Sequence, residues 1–145
     1  MIFLPYKLKT KIVGHLRRSY PLEGCGLLVG KTDPSGASVT GIAPSKNIAA
    51  EPQKSFEIDI EMHLNLQKQL RSNDHGEVVI GVYHSHPNGK PEPSLEDHIS
   101  AIETSFIWLI CSLTEDRFYK LAVFRFIDHY KGFRKLDLVL TEDPS

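Results

Sequence analysis

Between residues 6 and 19 the apolar positions Leu8, Ile12, Val13 and Leu16 recur at helical spacing, and basic side chains fill the other face. This predicts an amphipathic helix, with Pro5 suited to its first turn and Pro21 ending it near Tyr20. The next run, CGLLVG at 25–30, is short, apolar and closed by glycine, so it reads as a buried strand. TDPSGA is turn material, and 38–43 is expected to return as an antiparallel partner. Residues 44–57 show no period and contain two prolines; they read as an extended loop ending in a short strand. Asp59 is a helix N-cap candidate, and Met62, Leu66 and Leu70 repeat every four residues behind it, giving a second helix to about Arg71. VVIGVYH is β-branched and almost wholly apolar, the pattern of a central strand covered on both faces. Ser94 opens a third helix with Leu95, Ile99 and Ile102 expected on its inner side. FIWLIC, YKLAVFRFI and FRKLDLVL follow as strands, with DHYKG a turn between the last two. In the last strand Leu136, Leu138 and Leu140 alternate as at a sheet edge.

These elements predict an α/β fold, a mixed sheet of about six strands carrying helices, in one domain spanning 1–145. Composition changes the picture little. The net charge of -1 argues against a general nucleic-acid binder. Lys7, Lys9, Lys11, Arg17 and Arg18 cluster near the start without an acidic residue, and a solvated helix face explains them. Cys25 and Cys111 lie in apolar runs, as reduced, buried thiols of a cytoplasmic protein do. No signal-peptide core and no run of roughly 18 apolar residues is present, so no membrane association is expected.

The chemistry concentrates in HSHPNGKPEPSLED, residues 84–97. His84 and His86 at i and i+2 on a strand share one face, about 6.5 Å apart along the backbone. Two imidazoles so placed can converge on one ion with bonds of about 2.0–2.1 Å. Ser85 points away; Pro87 ends the strand; Asn88-Gly89 supports a tight turn; Pro91 and Pro93 stiffen the path to Ser94. Asp97, in the first turn of the next helix, can bring a carboxylate back to the histidines. Two imidazoles and one carboxylate leave a fourth tetrahedral position open, the pattern of a catalytic rather than a structural zinc site. An HxH pair also arises by chance, and Ser94-x-x-Asp97 reads equally well as a capping box. His98, adjacent to Asp97, points about 100° away around the helix and is not a ligand candidate.

The whole string resembles the JAMM motif of the MPN+ (JAB1/MPN/Mov34) metalloproteases. In that family a glutamate before an early strand precedes H-[ST]-H-P, then a short loop, P-S and an aspartate. Here LEGCGLLVG surrounds Glu23, HSHP occupies 84–87, Pro93-Ser94 follows, and Asp97 completes the set. NIAAEPQKSFEID and FRFID are similar to segments of small stand-alone prokaryotic members. The resemblance implies a cytidine-deaminase-like three-layer α/β/α fold. It implies that His84, His86 and Asp97 bind one Zn²⁺ with a water, that Glu23 is the general base, and that Ser94 donates to the oxyanion.

The function so implied is hydrolysis of a peptide or isopeptide bond at the C-terminal tail of a ubiquitin-like or sulfur-carrier protein. A Gly-Gly tail would fit a narrow groove, with an edge expected in residues 44–57. Two other classes stay open. One is a zinc amidohydrolase acting on a small molecule, although the P-C-x-x-C pair of zinc deaminases is absent. The other is a non-catalytic MPN scaffold, although such relatives lose motif residues and none is lost here.

Overall fold

A computed structural model describes residues 1–116 and 118–143. The elements run β1 (Ile2–Pro5), α1 (Tyr6–Ser19), β2 (Cys25–Asp33), β3 (Gly36–Ser45), α2 (Ile60–Ser72), β4 (Val78–Pro87), α3 (Leu95–Ser100), β5 (Ile107–Leu113), β6 (Tyr119–Asp128), β7 (Gly132–Leu136) and β8 (Leu138–Thr141). All eight strands form one mixed sheet in the order β7-β6-β5-β4-β2-β3-β1-β8. β4 is central, antiparallel to β2 and parallel to β5.

The sheet separates two cores, and strand alternation feeds both. Along β5, Ile107, Leu109, Cys111 and Leu113 enter the core beneath α1, which adds Ile12 and Leu16. Trp108 and Ile110 enter the other, where Met62 and Leu66 of α2 pack. The result is the expected α/β/α layering. In β4 the same alternation sends Tyr83 to the α1 side and Val82 to the α2 side. Gly26 of β2 is required here, because a Cβ would lie 2.3 Å from the Tyr83 ring.

The sheet has eight strands rather than about six. One addition is β1, only four residues long. The other comes from FRKLDLVL, which is not one edge strand but two. It breaks at Asp137, whose carbonyl accepts from Ile2 N at 2.8 Å, so that β7 pairs with β6 and β8 with β1. A single residue thus joins the two edges, and the sheet curls round to bring them together.

The third helix is shorter than expected, and its apolar residues do not face inward. Leu95, Ile99 and Ile102 are 72%, 71% and 82% exposed. Asp97 is the buried residue of α3. Leu95 and Ile99 each lie two positions from it, about 200° round the helix, so turning Asp97 inward turns them to solvent. Ile102 lies past the helix end.

Candidate metal centre

β4 delivers His84 and His86 to the α2 side of the sheet, both buried. The Asn88-Gly89 turn follows, with Asn88 at φ 58 and Gly89 N donating to the His86 carbonyl at 3.2 Å. That turn returns the Lys90 carbonyl to 2.8 Å from His86 Nδ1. The carbonyl can only accept, so Nδ1 carries the hydrogen and Nε2 is left with its lone pair facing the site. Asp97 is set by a reciprocal capping box: its amide donates to Ser94 Oγ at 3.1 Å, and its Oδ2 accepts from Ser94 N at 2.9 Å. The same Oδ2 stands 3.1 Å from His86 Nε2 and 3.4 Å from His84 Nε2.

Glu23 reaches the site from the segment before β2 and is 4% exposed. Its Oε1 lies 3.4 Å from His84 Nδ1. Glu23, His84 and His86 each offer a ligand atom within 4.8 Å of the others. All four residues singled out around HSHP and LEG therefore converge, although Glu23 and His84 are 61 positions apart. Ser94 is at the rim, half-buried, lining the cavity of about 330 Å³ over Glu23 and His86. Its hydroxyl oxygen accepts from Asp97 N, which leaves the hydroxyl hydrogen free to donate. The capping role and a donor role are thus compatible. His98 turns away and packs its ring on Phe133 at 5.0 Å, as its position on the helix required.

The donor set fits a divalent cation. Bonds of about 2.0–2.1 Å in a tetrahedron separate neighbouring ligand atoms by about 3.3 Å. The spacings of 3.1 and 3.4 Å from Asp97 Oδ2 to the two imidazoles match that edge. Glu23 Oε1 and His84 Nε2 are buried without a hydrogen-bond partner, their 3.4 Å approaches being too long for good hydrogen bonds. The electrostatics agree. Burial opposes a charge on His84, but Asp97 and then Glu23 outweigh it and raise its pKa to about 9. Burial would likewise raise Asp97, yet the charge of His84 beside it, the close approach of His86 and the hydrogen bond from Ser94 N hold it well below the usual carboxylate range. A pocket that favours one positive charge between two carboxylates favours a cation there.

Three further residues shape the site. Phe56 stacks on the His84 ring, centroids 4.2 Å apart and planes 20° apart, and touches Trp108 edge-on at 5.4 Å. Ser85 points away from the ligands, as its parity demands, but its Oγ accepts from Gly24 N at 2.9 Å and so anchors the residue after Glu23. Asn47 binds the Glu23 carbonyl through its side-chain amide at 2.9 Å. The residues alone gave no signal for these three beyond the choice of a small hydroxyl residue between two histidines. Both cysteines are free and buried, and burial pushes each thiol up to about 12, which suits neither ligation nor nucleophilic attack. A groove of about 490 Å³ runs between the 49–58 segment and residues 100–108, with Phe56 and Trp108 at the end nearest His84. No helix among the described residues is long and apolar enough to cross a membrane.

Comparison with known proteins places this geometry in context. Residues 5–122 match the family described as prokaryotic homologs of the JAB domain. The desampylase of Haloferax volcanii is 34% identical over 128 residues, covering 79% of this chain and 89% of that protein. The CysO-cysteine peptidase of Mycobacterium tuberculosis is 29% identical over 125 residues, covering 83% of this chain and 80% of that protein. The solution structure of a Desulfitobacterium hafniense protein superposes with a TM-score of 0.86 at 32% identity, over 99% of this chain and 94% of that one.

Proposed function

The chain belongs to the prokaryotic homologs of the JAB domain, and from that membership we propose that it is a zinc-dependent protease cutting at the C-terminal tail of a ubiquitin-like or sulfur-carrier protein. The observation that carries the reading is the convergence of four buried groups: His84, His86, Asp97 and Glu23. His84, His86 and Asp97 would hold the ion, since Asp97 spans both imidazoles at ligand-edge spacing and is fixed by its capping box. Glu23 lies near both imidazoles but makes its ion-pair contact with that of His84, and it keeps an unpartnered oxygen, as a base needs. When bound, zinc supplies Lewis acidity, polarising a carbonyl and lowering the pKa of water toward about 7.

The protein's own groups do the rest. Glu23 accepts the proton of the attacking water and passes it to the departing amine. Ser94, with its hydroxyl hydrogen free, donates to the oxyanion. Phe56, stacked on His84, keeps bulk water from that side. The groove ending at Phe56 and Trp108 offers an extended tail a path to the site, and glycines without side chains suit the narrow approach.

The test is incubation of the zinc-loaded protein with small carrier proteins ending in Gly-Gly fused to a peptide, the products being weighed by mass spectrometry. Cleavage after the second glycine is the expected outcome. Glu23→Gln should keep one zinc per chain and lose most hydrolysis. Loss of the metal as well would make Glu23 a ligand and overturn the division of roles. Hydrolysis of small amides with the fusions left intact would replace the protease reading with an amidohydrolase.

A further inference from the structure

The segment between β3 and α2 contains one polar side chain whose bonding capacity is completely used. The Asn47 amide nitrogen donates to the Glu23 carbonyl and to the Ser55 carbonyl, both at 2.9 Å. Its amide oxygen accepts from Ala49 N and Glu57 N, both at 3.0 Å. Two donor hydrogens face two carbonyls and two lone pairs face two N–H groups, so the orientation of the amide is forced. Two of the four bonds cross the loop and close it, where Asn47 also bridges Ile58. Another leaves the loop for Glu23. The loop answers with a second bond to the same residue, Glu23 N donating to the Pro52 carbonyl at 2.7 Å.

Both backbone polar groups of Glu23 are therefore held by this loop rather than by a neighbouring strand. β2 begins only at Cys25, so the sheet ladder does not reach Glu23. The same loop carries Phe56, stacked on His84. No other side chain among the described residues hydrogen-bonds the Glu23 backbone while also joining both sides of the loop.

We infer that Asn47 is a positioning residue for hydrolysis: its amide locks the 47–58 loop onto the backbone of Glu23 and so fixes where the Glu23 carboxylate stands. The inference rests on Glu23 being the base. Misplacement of a reacting group by about 1 Å costs up to about 100-fold in rate, so loss of the two donor bonds should be read mainly in kcat. Asn47→Asp separates the two halves of the clasp. It keeps an oxygen for Ala49 N and Glu57 N but turns an acceptor toward the Glu23 and Ser55 carbonyls. Asp59→Ala is the control: it removes the cap on Glu61 N at the end of the same segment and touches nothing of Glu23.

Wild type, Asn47→Asp, Asn47→Ala and Asp59→Ala would be compared for zinc content, melting temperature, kcat and KM on the tail fusion, and amide exchange of the metal-free proteins by NMR. The expected result for Asn47→Asp is one zinc per chain, a melting temperature near that of Asp59→Ala, KM within about three-fold of wild type, and kcat lower by about 10- to 100-fold. In Asn47→Ala the amides of Ala49, Glu57 and Glu23 should lose protection together. The inference is overturned if Asn47→Asp keeps kcat within about two-fold, if its loss only equals that of Asp59→Ala, or if the Glu23 amide stays protected in Asn47→Ala. The exchange result stands without any substrate, so failure of the wild type to cut the fusions would sink the functional reading and leave the clasp separately tested.

Discussion

Replacing Ser85 by alanine tests whether Glu23 is held by a polar contact through the sheet. Ser85 is fully buried, and its hydroxyl oxygen is the acceptor for Gly24 N at 2.9 Å. Gly24 is itself buried and packed so closely on α1 that a Cβ would fall 2.6 Å from Ser19 Oγ. It cannot turn to find water. Alanine leaves that N–H unsatisfied, at a cost of about 1–3 kcal/mol. Unfolding entropy of about 2.1 cal/mol/K per residue gives about 0.3 kcal/mol/K for 145 residues. The melting temperature of Ser85→Ala should therefore fall by about 3–10 °C. The assay is far-UV circular dichroism on the metal-free protein at pH 7, with Gly24 amide exchange followed in parallel. Ser85→Thr retains the oxygen and should recover most of the loss. A Ser85→Ala protein melting within about 1 °C of wild type, with Gly24 still protected, would refute the reasoning.

Phe56→Ala removes the stack on His84 and the edge contact to Trp108; at about 0.5–1.5 kcal/mol each, stability should fall by about 1–3 kcal/mol in a urea titration, with weaker zinc retention against a chromophoric chelator. His15 Nδ1 shares a hydrogen bond with the Tyr83 hydroxyl at 2.7 Å, and its pKa is lowered by burial and by Arg18. The unfolded chain then takes up that proton first as pH falls through about 6.5, so His15 makes the folded state lose stability on acidification. Urea midpoints between pH 7 and pH 5 should fall less steeply in His15→Gln than in wild type. Cys25 and Cys111 should ignore a thiol reagent at pH 8 in the native protein and react at once in denaturant, because burial raises both to about 12. Chelation should abolish hydrolysis and leave the far-UV spectrum unchanged, since both hydrophobic cores form without the metal ligands.

How far the residues alone led can be judged element by element. β4 and its histidine pair were legible because period-two alternation is a local property, and because a short β-branched apolar run bounded by turn residues suits a strand covered on both faces. Asp97 was legible as a candidate because the proline-stiffened turn limits where the chain can go. Glu23 was not legible from spacing; with ten glutamates in the chain, the resemblance supplied it. α3 misled because its apolar triad has true helical spacing, while the decision belonged to the buried Asp97 on the opposite face. The break at Asp137 was hidden because Leu136, Leu138 and Leu140 continue one alternation across two strands, and each half finds a different partner. Asn47 and Ser85 escaped because their work is done on backbone groups of residues distant in sequence, which no local pattern records.

The join at Asp137 has a consequence for the order of synthesis. β1 is made some 136 positions before β8, yet they pair residue for residue from Ile2 with Leu138 to Pro5 with Thr141. Until β8 leaves the ribosome, one side of β1 is a bare row of donors and acceptors, open to another nascent chain. Every group proposed for catalysis lies between Glu23 and Asp97 and is made well before that moment. The residues of the proposed metal site are thus all synthesised before β8 takes over from β1 as the edge of the sheet.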